Sequence, residues 1–191
     1  MSRNGGLLIL TAFVLILGSA AAFTQNSAPT ITRADALKSV RVSSLPGWFE
    51  FVSEESRFRI LFPGAPKPNN DVSTMKGFKF EDASGHWAAW CSDLGVTAPN
   101  DNSLLRDQYQ RAIAAMTHGN NRLFVSGDVF LNGRLGAEVI IQRSSRVDYI
   151  RTFAFGRRLY TLTVTRKRTN GVGSDVPQDV QEFFDSFTYW D

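Results

Sequence analysis

The side chains able to do chemistry in this 191-residue chain are few: one cysteine, Cys91, and two histidines, His86 and His118. His86 and Cys91 lie five positions apart on a predicted strand, and odd spacing sends them to opposite faces, so they cannot share a metal ion without a bulge. His118 falls at the end of a predicted helix, where a partial positive charge suits the dipole. Both histidines read as structural or surface residues. Cys91 closes the apolar run Trp87-Ala88-Ala89-Trp90-Cys91 and reads as a small buried hydrophobe, with no electropositive setting to activate a thiol. The acid pairs Glu54-Glu55 and Glu81-Asp82 are each adjacent at a turn, which makes them solvated punctuation rather than an opposed acid and base. A serine mechanism needs a base and an oxyanion hole, and the sequence carries no Gly-x-Ser-x-Gly elbow. Gly171-Val172-Gly173 precedes a helix as a phosphate loop does, but Val176 stands where a third glycine belongs and no Lys-Ser/Thr follows. The expectation is therefore a protein that is not an enzyme, with no catalytic residue, no cofactor and no metal.

The remaining constellation is basic. Nine Lys/Arg and only two acids, Glu138 and Asp148, lie between Arg134 and Arg168, a local charge of +7 in a chain of net +3. Strands expected at 135–143, 147–155 and 158–166, joined as a meander, run up, down and up. The end of the first, the start of the second and the end of the third then share a rim. That places Arg143, Arg146, Arg166, Lys167 and Arg168 together, with Arg157 and Arg158 at the opposite end. Like charges so gathered attract an acidic protein or an anionic envelope surface. The plainer reading is a solvated rim that keeps strand ends from pairing with other chains.

The elements that would position this rim begin at Trp48. Residues 48–52 and 57–62 alternate as two strands around a polar turn, ended by Pro63-Gly64-Ala65-Pro66. Residues 73–82 and 86–94 form a second expected hairpin. Asn100–Ser103 offers caps for a helix to about His118, whose stripe Leu105, Tyr109, Ile113 and Met116 would face a sheet, with Gly119, Asn120 and Asn121 as its stop. Another strand, 122–131, leads into the meander through Asn132-Gly133, the strongest hairpin turn in the chain. A last amphipathic helix has Asp175 as its expected cap, Pro177 in its first turn and an apolar face of Val176, Val180, Phe183, Phe184 and Phe187. Short-linked strands with two helices between them predict the α+β class, an antiparallel sheet with helices packed on its faces.

Ahead of that domain, Arg3 precedes an apolar run from Leu7 to Leu17 broken only by Thr11, and Ala20-Ala21-Ala22 follows. This is the order of a signal peptide over 1–22, and it predicts an exported protein, periplasmic or extracellular. The alternative is an uncleaved anchor, since Leu7–Phe23 reaches 17 residues and would tether the domain to the membrane. No cysteine stands where a lipoprotein would be acylated. Residues 23–47 are rich in Ser, Thr and Pro and read as a flexible polar linker, with a helical turn or two conceivable over Ala34–Val40. Residues 48–191 are one domain's worth of chain. Export argues against nucleotide chemistry and against nucleic acid as the partner of the basic rim.

Three stretches carry a family resemblance. They are Trp48–Phe62 with its closing Pro63, Leu159-Tyr160-Thr161-Leu162, and Phe183-Phe184-Asp185-Ser186-Phe187. Together they resemble the PsbP-like (Mog1/PsbP) family. That resemblance implies an α-β-α sandwich around an antiparallel sheet and, in the photosynthetic members, a non-catalytic accessory role on the lumenal side of photosystem II. The chain departs from the family where a tryptophan often follows the opening proline, and it has no acidic or histidine cluster matching a manganese or calcium site. The resemblance thus implies the fold and a non-enzymatic role, and transfers no site residue. The function expected is an exported binding or accessory module docking through the Arg143/Arg146/Arg166–Arg168 rim. The competing expectation is a small-ligand-binding or hydrolytic envelope enzyme with a cleft between sheet and helix. A filled core beneath 104–116 would count against it.

Overall fold

Alternation of aromatic and polar residues sets the strands. The computed structural model describes residues 40–42, 47–69, 75–116, 122–168 and 175–190. Along the chain come β1 (Val40–Val42), β2 (Phe49–Ser53), β3 (Phe58–Phe62), β4 (Lys67–Asn69), β5 (Met75–Glu81), β6 (His86–Asp93) and α1 (Asn102–Met116). They are followed by β7 (Arg122–Leu131), β8 (Arg134–Gln142), β9 (Arg146–Phe155), β10 (Arg158–Lys167), α2 (Gln178–Asp185) and β11 (Thr188–Tyr189). Two antiparallel sheets result, a small one ordered β1-β2-β3-β11 and a seven-stranded one ordered β4-β5-β6-β10-β9-β8-β7. This is the α+β architecture the periodicity predicts.

The large sheet is covered on both faces, and its period-2 alternation sorts residues between two cores. On one face α1 lays Leu105, Tyr109, Ala112 and Ile113 over Leu135, Val139, Ile141, Ile150 and Leu159. The other face meets the small sheet and α2 in an aromatic core, where the Phe51 and Phe78 rings lie 3.9 Å apart and Phe62 meets Phe183 edge-on at 5.2 Å. Leu159-Tyr160-Thr161-Leu162 reads across both cores, with Leu159 under α1 and Tyr160 and Leu162 in the aromatic core. The Tyr160 hydroxyl, buried there, donates to the Ser56 carbonyl at 2.8 Å. Ser186 accepts from the Leu61 amide at 2.9 Å and donates to the Phe183 carbonyl at 2.7 Å, which joins the end of α2 to β3 and seats Phe187 in the core.

Several local expectations change. The helix expected to be capped by Asp175 begins at Gln178, with Pro177 at its N-cap in extended backbone (φ −56°, ψ 145°) and no side-chain cap bond. The Pro177 carbonyl accepts the first helical bond, from the Gln181 amide at 2.9 Å, so proline ends the extended lead-in rather than starting the helix. Val40–Val42, within the stretch read as linker, pair with β2, so the small sheet starts ahead of Trp48. Asn132 and Gly133 take the paired positive φ values of 51° and 78° that a tight hairpin turn demands. The signal peptide, the linker as far as Ser39, His118, the stop residues 119–121, Gly171–Gly173 and the Met116 side chain lie outside the described residues.

Candidate functional site: a basic sheet rim

The meander forms as expected, and its register decides which residues meet. Gln142 on β8 pairs with Val147 on β9, and Arg146 on β9 pairs with Lys167 on β10. Arg143, Arg146, Arg166, Lys167 and Arg168 therefore all stand at one end of the large sheet. Arg157 is at the other end, 3.4 Å from Asp93. Arg143-Ser144-Ser145-Arg146 is the turn between β8 and β9, closed by the Arg143 amide donating to the Arg146 carbonyl at 2.8 Å. The Arg168 amide donates to the Ser145 carbonyl at 3.0 Å and ties the end of β10 to that turn.

Asp148 organises the α1-facing side of the rim. Its side chain is 6 % exposed. One carboxylate oxygen accepts from Arg143 Nε at 2.5 Å, and the other accepts from Thr165 Oγ1 at 2.9 Å and lies 3.4 Å from Arg146 Nε. A carboxylate so far from water needs such partners, and two guanidinium groups and a hydroxyl supply them. Three consecutive strand ends are thereby fastened to one side chain. Gln142, with its amide oxygen toward Arg168, accepts from that guanidinium at 2.9 and 3.1 Å, and Arg168 and its neighbour Lys167 stay exposed.

Arg166 takes the other face. It pairs with Asp179 in the first turn of α2, and its guanidinium carbon lies 5.3 Å from the centroid of the Trp87 ring, whose indole is buried in the aromatic core. The five cations thus share an end of the sheet while dividing between its faces. Asp148 and Asp179 balance two of the five charges, a surplus of three. Glu81 and Asp82 sit exposed at the β5–β6 turn, beside the end of β10 and away from the 143–146 turn. The Ser84 hydroxyl and amide hold the Asp82 carboxyl below the usual carboxylate range, with a smaller contribution from the Arg166 charge.

The spacing already carried a signal for Asp148. It follows Arg146 by two, so both lie on one strand face, and the hairpin returns Arg143 beside them. Asp179 lies outside the basic window and reaches it only because α2 packs back over β10.

The other chemical candidates resolve into structure. Cys91 is buried, and burial pushes its thiol up from 9.0 to about 11, the direction opposite to activation. Among the described residues no group of three or more His, Cys, Asp or Glu stands close enough to hold a metal ion. The space under α1 is filled, with Leu105, Ala112, Leu135, Val139 and Ile141 all 0 % exposed, which counts against a cleft there. A groove of about 530 Å³ runs along α2, lined by Leu61, Val176, Gln181, Glu182, Asp185 and Ser186; Gln181 is already bonded to Asp185. No helix among the described residues is long and apolar enough to cross a membrane.

Comparison with known proteins identifies the fold. No family model matches the chain, and no curated protein matches it in sequence. Among solved structures, the solution structure of cyanobacterial PsbP (CyanoP) from Synechocystis sp. PCC 6803 superposes with a TM-score of 0.52. It covers 77 % of this chain and 95 % of its own, at 10 % identity. A crystal structure from Bacteroides thetaiotaomicron VPI-5482 is more distant, with a TM-score of 0.41, 10 % identity and coverage of 74 % of this chain and 48 % of its own. The chain has a PsbP-like α+β fold, as the Leu159–Leu162 and Phe183–Phe187 stretches suggested.

Proposed function

We propose that this PsbP-like domain is an exported, non-catalytic docking module that binds an acidic surface of a partner protein through the rim formed by Arg143, Arg146, Lys167 and Arg168. The observation that carries the reading is the surplus of three positive charges at the end of three adjacent strands, where Arg143 and Arg168 are hydrogen-bonded to Asp148 and Gln142 and Arg146 lies 3.4 Å from Asp148. Three of these four cations are arginines, whose planar forks suit paired carboxylates. An anionic membrane is the weaker alternative. A basic residue near such a surface contributes about 1 kcal/mol, and lasting attachment takes a second, apolar signal. The exposed large hydrophobics among the described residues, Leu104 and Phe130, lie on α1 and β7 rather than on the rim. The apolar segment at 7–23 supplies export and, if uncleaved, a tether that would hold the domain at the membrane.

Titration of the full chain with a fluorescent polyglutamate peptide across ionic strength tests this reading. Binding at low salt that weakens steeply as salt rises is the expected result. Equal or tighter binding to phosphatidylglycerol vesicles, or no binding to the peptide at low salt, would overturn it.

A further inference from the structure

Resting on the docking reading above, we infer that the partner-binding surface is narrower than the basic rim. It consists of the Arg143–Arg146 turn with Lys167 and Arg168, is kept in shape by Asp148, and excludes Arg166. The division follows from where each cation is committed. Arg166 is turned to the aromatic face, packed over Trp87 and joined to Asp179, so its charge holds α2 down and is balanced there. Lys167 and Arg168 are exposed and form no ion pair among the described residues. Ser144 and Ser145 are exposed between Arg143 and Arg146, which places two hydroxyls within the same cationic edge. An acidic segment laid along this edge meets cations from β9, β10 and the turn at once.

Asp148 acts on binding through the arginines it holds. It draws Arg143 and Arg146 inward by their Nε edges and fixes β10 through Thr165, so three strand ends cannot move apart. A free cluster of the same charges would have to be ordered when the partner binds, and holding them beforehand lowers that cost. Two effects of Asp148 therefore oppose each other. Its negative charge weakens attraction for an acidic partner, and its bonds organise the groups that do the attracting. Asp148→Asn separates them, because it raises the net charge while removing the charged partner of both arginines.

The test measures polyglutamate binding at low salt for the full chain and four variants, each checked for folding by its thermal melt. Lys167→Glu/Arg168→Glu is expected to weaken binding at least about tenfold. Arg166→Gln is expected to leave affinity within about twofold while lowering the melting temperature. Asp148→Asn is expected to weaken binding roughly three- to tenfold despite its extra positive charge. Thr165→Val, which loosens Asp148 without changing charge, should weaken binding in the same direction and covers the case in which Asp148→Asn does not fold. Tighter binding by Asp148→Asn, unchanged binding by Thr165→Val, or an Arg166→Gln loss equal to that of the double reversal would overturn the inference. Absence of binding by the unaltered chain would instead overturn the docking reading itself.

Discussion

At the scale of single residues, burial decides what each titratable group does. Cys91 looks reactive only as a letter in the sequence. In the fold it lies against the aromatic core, and the neutral thiol is the form that environment favours. A thiol pushed up from 9.0 to about 11 stays protonated in the folded chain at pH values where the unfolded chain has lost the proton. Folding stability from this group is fully present below about pH 9 and declines as pH rises toward about 11. Urea midpoints at neutral and alkaline pH should show a steeper alkaline loss for the unaltered chain than for Cys91→Ala, and equal slopes would contradict this. Asp101 illustrates the opposite sign. As the cap of α1 it accepts from the Ser103 amide and hydroxyl, both at 2.7 Å, and these bonds lower its carboxyl below the ordinary 3.8. Its help to α1 is present above that ordinary value and fades as acid protonates it.

At the scale of elements, α2 shows how two arginines from neighbouring strands seat a short helix. Arg166 on β10 meets Asp179 in its first turn, and Arg151 on β9 meets Asp185 in its last at 2.9 Å. Arg151 also gives two bonds to Glu138, at 2.9 and 2.5 Å, and stacks 4.8 Å from the Phe184 ring centroid. Its side chain is only 10 % exposed, so removing it strands Glu138 beside the core. Arg151→Ala should cost about 3 kcal/mol in denaturant unfolding with an unchanged m-value. Asp185→Asn should cost less than about 1 kcal/mol, because the Asp185 side chain is 58 % exposed. Similar costs for the two would show that Arg151 contributes through Asp185 rather than through Glu138 and Phe184.

The same elements show what the residue pattern alone reveals. The meander was legible because β8, β9 and β10 alternate strongly and are joined by short turns, and that sufficed to bring the five rim cations to one end. The strands β1, β4 and β11 were not, since segments of two or three residues carry no period and exist only through the neighbour they pair with. Pro68 inside β4 argues against a strand by propensity and is accommodated on a sheet edge. The division of the rim was legible in part. Period-2 alternation separates Arg166 from Lys167, whereas the Asp179 contact depends on how α2 packs, which no local pattern encodes. The motifs that resembled a known family prove to be packing devices: Tyr160 bridges to Ser56, and Ser186 fastens α2 to β3.

At the scale of the molecule, the two ends of the large sheet differ. At one, the link from β6 to α1 bonds to the β9–β10 turn, with the Leu94 amide on the Arg157 carbonyl at 2.8 Å and the Ala98 amide on the Gly156 carbonyl at 2.6 Å. The other presents the cations of the rim. This polarity suits a domain that offers one end to a partner, and it makes the partner's carboxylates the groups to look for. Zero-length carbodiimide coupling in intact cells joins an amine to a carboxylate it already touches. Of the lysines among the described residues, Lys167 alone stands on the rim, while Lys67, Lys76 and Lys79 lie on the far strands β4 and β5. Mass spectrometry is expected to find Lys167 coupled to aspartate or glutamate of a partner protein, and high salt during coupling or the Arg168→Glu substitution is expected to abolish the product. Coupling that concentrates on Lys67, Lys76 or Lys79, or that persists unchanged in high salt, would contradict this expectation.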